Sequence, residues 1–135
     1  MKKVAVSGYF DPLHIGHLEY LKLAKSQGDY LIVIVNSNYQ CKIKKGKPFM
    51  DENDRIEIVR NLKMVDEVFL SIDKDRTVCK SLEKIRPDIF ANGGDRSTDE
   101  VPETVICNKY KIKMIDGLGA KIRSSSDLTG LKQIQ

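Results

Sequence analysis

Between Asp29 and Asn36 runs Leu31-Ile32-Val33-Ile34-Val35, an aliphatic stretch without a polar interruption in which every residue after Leu31 is β-branched. A strand with one face in water alternates apolar and polar residues, whereas a run that does not alternate belongs to a strand covered on both faces. Both faces are covered when helices cross between parallel strands, so the run reads as the centre of a parallel sheet in an α/β fold. The flanking sequence supplies the remaining pieces.

Residues 3–8 form a β-leaning run that ends at Gly8. Apolar residues at 15, 18, 21 and 24 recur with the period of an amphipathic helix from Ile15 to about Gln27, with Gly28 as its expected C-cap. Further on, Asp51 or Asn53 caps a helix running to about Met64, and strands are expected at 65–72, 88–91 and 111–116. Helices are expected at 75–85, at 100–110 with Pro102 in the first turn, and from Ser124 onward. The segment after Val35 reads as a polar, lysine-rich loop. Strands separated by helices of about ten residues predict right-handed βαβ units, hence a Rossmann-like, doubly wound sheet of five parallel strands with helices on both faces. Ligands of such sheets bind at the carboxyl ends of the strands.

The chain has 135 residues, 41% of them hydrophobic. A domain of that size buries somewhat under ~70% of its unfolded surface, enough for one core, so residues 1–135 are expected to form a single domain. Leu31–Val35 is the longest apolar run and falls far short of a bilayer span. Met1-Lys2-Lys3-Val4 leads straight into strand sequence without the apolar region of a signal peptide, so the expected location is the cytoplasm and no membrane partner is expected. Cys41, Cys79 and Cys107 form no C-x-x-C pair and read as free thiols. A net charge of +4 is too mild to require nucleic acid, and no aromatic stacking platform for it is evident.

Segments rich in chemistry fall at the expected strand ends. Gly8-Tyr9-Phe10-Asp11-Pro12-Leu13-His14-Ile15-Gly16-His17 contains both histidines of the chain. Three residues apart in a first helical turn, they project from one face beside free backbone amides, an arrangement suited to an anion. Gly16 between them leaves room for a bulky ligand against the backbone. A metal-binding pair is the competing reading, but no H-E-x-x-H pattern accompanies it. Lys42-Ile43-Lys44-Lys45-Gly46-Lys47 is either a solvated basic loop or a phosphate clamp. Asn92-Gly93-Gly94-Asp95 permits close backbone approach, with Asp95 available to a ribose hydroxyl, or is a plain turn. Lys121-Ile122-Arg123-Ser124-Ser125-Ser126 offers hydroxyls and amides at a helix start, for phosphate or for capping alone.

In order and spacing, Gly8-Tyr9-Phe10-Asp11 followed by His14-Ile15-Gly16-His17 resembles the G-x-F-D and H-x-G-H signature of the cytidylyltransferase-like nucleotidyltransferases. The likeness covers almost the whole chain and is nearest to glycerol-3-phosphate cytidylyltransferases and to the adenylyltransferase domain that activates heptose phosphate. It implies transfer of a nucleoside monophosphate from a triphosphate to a small phosphorylated alcohol, polyol, sugar or phosphonate, with release of pyrophosphate. CTP is the preferred donor and ATP the other. The resemblance implies catalytic roles for His14, His17, Lys44 and Arg123, nucleotide contacts from Gly8, Tyr9, Phe10, Asp11, Gly16, Asn92, Gly93, Asp95, Ser124 and Ser125, and acceptor contacts from Lys47 and Arg55. It also implies Mg²⁺, with Asp11 as a ligand, and a homodimer. A phosphate monoester is already a nucleophile, so the protein has only to align two anions and neutralise their charge, which the histidines, lysines and arginine are expected to do as cations. A catalytically inactive nucleotide-binding regulatory module is the alternative.

Overall fold

The computed structural model describes residues 1–93 and 102–118. In chain order the elements are β1 (Lys3–Gly8), α1 (Ile15–Lys25), β2 (Tyr30–Val35), α2 (Asn38–Lys45), α3 (Glu52–Arg60), β3 (Glu67–Leu70), α4 (Cys79–Ile85), β4 (Ile89–Gly93), α5 (Thr104–Lys109) and β5 (Lys113–Leu118). The five strands form one all-parallel sheet in the order β3-β2-β1-β4-β5. The doubly wound Rossmann-like architecture expected from the sequence is therefore present.

Alternate residues of the inner strands feed two separate cores. Val4 and Val6 of β1 with Leu31, Val33 and Val35 of β2 pack against Leu21 and Ala24 of α1 and Val59 of α3. Ala5 and Ile34 point the other way, toward Leu82 of α4 and Cys107 of α5. The Leu31–Val35 run is fully or almost fully buried, as an unalternating strand requires. It is nevertheless β2 and one place off centre, because any inner strand is covered on both faces. The central strand is β1, whose register runs from Lys3 opposite Tyr30 to Gly8 opposite Val35. The chain winds from β1 through β2 to β3 on one side, and β4 and β5 lie on the other. The switch point thus falls between the carboxyl ends of β1 and β4, where a doubly wound sheet opens a crevice for ligand.

Local departures from expectation have local causes. The segment expected as a lysine-rich loop contains α2. Ser37 accepts from the Gln40 amide at 3.2 Å, and the Gln40 side chain reaches back to the Ser37 amide at 3.0 Å. Ser37-x-x-Gln40 is the sequence form of a capping box and could have revealed the helix. Gln40, fully buried, also donates to the carbonyls of Asp75 and Thr77 at 2.7 and 2.8 Å, tying α2 to the segment after β3. Ser26, not Gly28, is the C-cap of α1. A Cβ on Gly28 would lie 2.7 Å from Val4 Cγ2 and 2.8 Å from the Lys2 carbonyl, so that glycine serves a close chain crossing. β5 continues to Leu118, past the expected end at 116. The helix expected from Ser124 lies outside the described residues. Among the described residues the three cysteines are free, and burial pushes the Cys107 thiol up to about 12, with Glu103 adding to the effect. No helix among them is long and apolar enough to cross a membrane.

Candidate functional site

The G-x-F-D and H-x-G-H segments lie at the carboxyl end of β1, one flank of the switch-point crevice. His14 is the N-cap of α1 and His17 is its third helical residue. Together they make a capping box from two imidazoles. His14 Nδ1 accepts from the Gly16 amide at 3.1 Å, and His17 Nδ1 accepts from the His14 amide at 3.2 Å. The rings stack with centroids 3.9 Å apart and planes 28° apart. Phe10 meets His17 edge-on at 5.0 Å.

This geometry fixes the protonation state of the pair. An imidazole whose Nδ1 accepts a backbone N–H carries its own proton on Nε2. Burial holds the His14 pKa below its ordinary value. Burial, reinforced by repulsion from His14, takes His17 down to about 3. Both rings are neutral near pH 7, so each carries an Nε2–H and not the positive charge expected from sequence. Two positive rings 3.9 Å apart would repel each other strongly in a half-buried site.

Asp11 occupies a different place from the one expected. Its side chain is fully buried, and Lys45 Nζ lies 2.8 Å from Oδ2. The amide of Phe49 donates to Oδ2 at 2.7 Å and that of Met50 to Oδ1 at 2.6 Å. Burial pushes this carboxyl up, but the bonds from Lys45, Phe49 and Met50 outweigh it and hold the pKa below the usual value. An ammonium and two amides take most of the acceptor capacity of a carboxylate. Asp11 therefore does not fit the role of a Mg²⁺ ligand. Its geometry is that of a clamp holding residues 45–50 against the β1 loop. Among the described residues no group of three His, Cys, Asp or Glu side chains is placed to hold a metal.

Arg55 is likewise structural. Its guanidinium, 1% exposed, donates to the carbonyls of Met50, Tyr9 and Asn36 at 2.9, 2.9 and 2.6 Å and to Asn38 Oδ1 at 2.9 Å. These bonds join the end of β1, the end of β2, the start of α2 and the turn before α3. Every arm of the fork is engaged, so an acceptor phosphate cannot reach it, and the expected acceptor contact is corrected to a tie beneath the site.

The lysines divide by partner. Lys45, which sequence reasoning did not single out, is bound to Asp11. Lys44 places its ammonium 4.3 Å from the centroid of the Tyr9 ring. Lys47 is exposed, just beyond Gly46, whose φ of 95° turns the chain at the end of α2. Gly8 makes room for the buried Phe10, because a Cβ there would stand 2.8 Å from Phe10 Cζ. The Phe10 ring thus belongs to the core and supports His17 from below; it is not a surface for nucleotide. Gly16 is buried inside the first turn of α1.

Across the crevice, Asn92 and Gly93 end β4. Asn92 is 2% exposed, and its Nδ2 has no hydrogen-bond partner among the described residues. An orphaned buried donor costs about 1–3 kcal/mol, a cost that an acceptor brought within its reach would offset. Asp95, Arg123, Ser124 and Ser125 lie outside the described residues.

A sequence profile described as Cytidylyltransferase-like matches residues 5–126. An FAD synthase of Ferroglobus placidus is 46% identical over 74% of this chain and 64% of its own length, just under two thirds of that protein. An FAD synthase of Thermoplasma volcanium is 34% identical over 95% of this chain and 92% of its own. Among solved structures, a lipopolysaccharide core biosynthesis protein from Thermoplasma volcanium superposes with a TM-score of 0.74 at 31% identity, covering 86% of this chain and 95% of that one.

Proposed function

Because the chain belongs to the cytidylyltransferase-like family, we propose that it is an adenylyltransferase that joins the AMP portion of ATP to FMN, releasing pyrophosphate. The observation that carries nucleotidyl transfer is the stacked, neutral His14–His17 pair at the start of α1, with its Nε2–H groups as donors. The preference for CTP and a polyol-type acceptor gives way here. Relatives at 46% and 34% identity are named for making FAD, and FAD is FMN extended by the AMP of ATP.

In the proposed reaction an oxygen of the acceptor phosphate attacks the α-phosphorus in line, and the bond to the pyrophosphate oxygen breaks. No protein nucleophile is needed, so alignment and charge stabilisation supply the rate. His14 and His17 donate to the α-phosphate where negative charge builds in the transition state. Neutral donors suit this task, because they keep one geometry without binding so tightly that product is retained. Lys44 and Lys47 neutralise the acceptor phosphate and bring it toward a second anion. Asp11 and Arg55 are positioning residues that hold the lysine segment against the histidine loop. Asn92 supplies a donor to the nucleotide from the β4 side. Arg123, Ser124 and Ser125 are proposed at the leaving pyrophosphate. Magnesium, if bound with the triphosphate, would neutralise phosphate charge; Asp11, held by Lys45 and two amides, would not hold it.

The test is direct. The purified chain is incubated with ATP or CTP against FMN, glycerol 3-phosphate and sugar phosphates, and both pyrophosphate and the adenylated or cytidylylated product are measured. FAD should form from ATP and FMN, and His14→Ala or His17→Ala should slow it by on the order of 10²-fold. Product from CTP alone would overturn the donor assignment. A chain that binds nucleotide without releasing pyrophosphate would restore the regulatory-module alternative.

A further inference from the structure

Phe49 is 76% exposed, more than Tyr39 at 50%. A single exposed phenylalanine is ordinary on a protein surface, but the backbone beneath this one is not loose. Its amide donates to Asp11 Oδ2 at 2.7 Å, and the next amide, of Met50, donates to Asp11 Oδ1 at 2.6 Å. The Met50 carbonyl in turn accepts from buried Arg55 at 2.9 Å. The ring is therefore carried on a fixed base at the end of the sheet that holds the histidine pair. It belongs to neither hydrophobic core and has no ring contact among the described residues.

Resting on the reading of the site as one that adenylylates FMN, we propose that Phe49 is the platform on which the acceptor's flat conjugated ring stacks, with Lys47 holding the phosphate at the other end. Lys47 and Phe49 are both exposed and stand two residues apart, so one short segment carries a cation and an uncovered aromatic face, the two groups that an acceptor with a phosphate at one end and a planar heterocycle at the other would use. They give no advantage to glycerol 3-phosphate or a sugar phosphate, which lack the ring. Fixing the base of Phe49 before the ligand arrives also reduces the ordering cost of stacking.

The experiment uses the full chain as wild type, Phe49→Ala and Phe49→Trp. Quenching of flavin fluorescence reads FMN binding without turnover, and steady-state assays give KM for FMN and for ATP separately. Phe49→Ala should weaken FMN binding by about 5- to 150-fold, the range seen when a stacking aromatic is truncated, and should leave KM for ATP within about twofold. Phe49→Trp should restore FMN binding. Unchanged FMN affinity in Phe49→Ala, with FAD still formed by the wild type, overturns the platform and leaves the proposed reaction standing. Equal weakening of FMN and ATP also overturns it, since that marks a disturbed loop. If the wild type forms no FAD from FMN and ATP, the functional reading falls and the platform with it.

Discussion

Acid should destabilise this protein well above the pH at which its carboxylates titrate, and His17 should be the main reason. In the fold its pKa lies near 3, against 6.5 unperturbed. The unfolded chain therefore takes up a proton on this ring as pH falls through 6.5, while the folded chain does not. Unfolding then binds protons, so stability is complete above about pH 6.5 and declines as pH falls toward 3. Each unit in that window is worth about 1.4 kcal/mol, so acidification from pH 6.5 to 4.5 removes about 2 to 3 kcal/mol. That is a large part of the ~5–15 kcal/mol that holds an ordinary domain folded. Asp11, Asp51, Asp66 and Asp75 have pKa values held below 3.8, so their contributions are lost only as pH falls further. The windows separate. His17→Gln is the informative variant, because glutamine at the third helical position can close the same capping box, as Gln40 does in α2. Urea unfolding at pH 7.0, 6.0, 5.0 and 4.5 should show the wild type losing stability steeply. The variant should keep only the smaller slope from His14, whose pKa is also lowered. Equal slopes in the two proteins, or a His17 titration near 6.5 followed by NMR, would refute the assignment of a buried neutral ring.

Three further outcomes follow from the same geometry. Asp11→Ala removes the acceptor of two amides and the partner of Lys45; unfolding free energy should fall by about 2 kcal/mol, and KM for the acceptor should rise more than KM for the nucleotide. Arg55→Lys cannot reproduce a fork that spans four acceptors, and chemical unfolding should record a loss of about 3 kcal/mol or more. Gly8→Ala puts a Cβ 2.8 Å from the Phe10 ring; thermal unfolding should show a loss of about 1–3 kcal/mol from overpacking, and the displaced ring should also reduce activity by disturbing His17.

Much of the site was legible in the sequence as positions and much less as roles. The histidines and the glycine-bearing end of β4 lie at carboxyl ends of strands, because helix period and strand composition already set where each strand stops, whereas the lysine cluster ends α2, a helix the polar segment after β2 does not announce by its period. Charge state was not legible. Nothing in His14-Ile15-Gly16-His17 says that each Nδ1 accepts an amide and that the rings stack, so a sequence reader counts two cations where the fold keeps two neutral donors. Asp11 and Arg55 were misread for a related reason. A carboxylate and a guanidinium beside a phosphate site look like ligands until their partners are known, and those partners are amides and carbonyls from distant segments.

By itself the sequence determined a doubly wound parallel sheet, from the unalternating Leu31–Val35 run and the helical periods around it. Two short motifs at fixed spacing also carried the resemblance to the family whose profile the chain matches. Local patterning suffices for this, since helix and strand periods and motif spacing are properties of neighbouring residues. The tertiary structure decided that β1 and not β2 is central, that Asp11 clamps the lysine segment, that Arg55 is sealed beneath the site, and that His17 is neutral. Each depends on which backbone groups and rings from distant parts of the chain come within hydrogen-bonding distance, and on how much water they exclude when they meet.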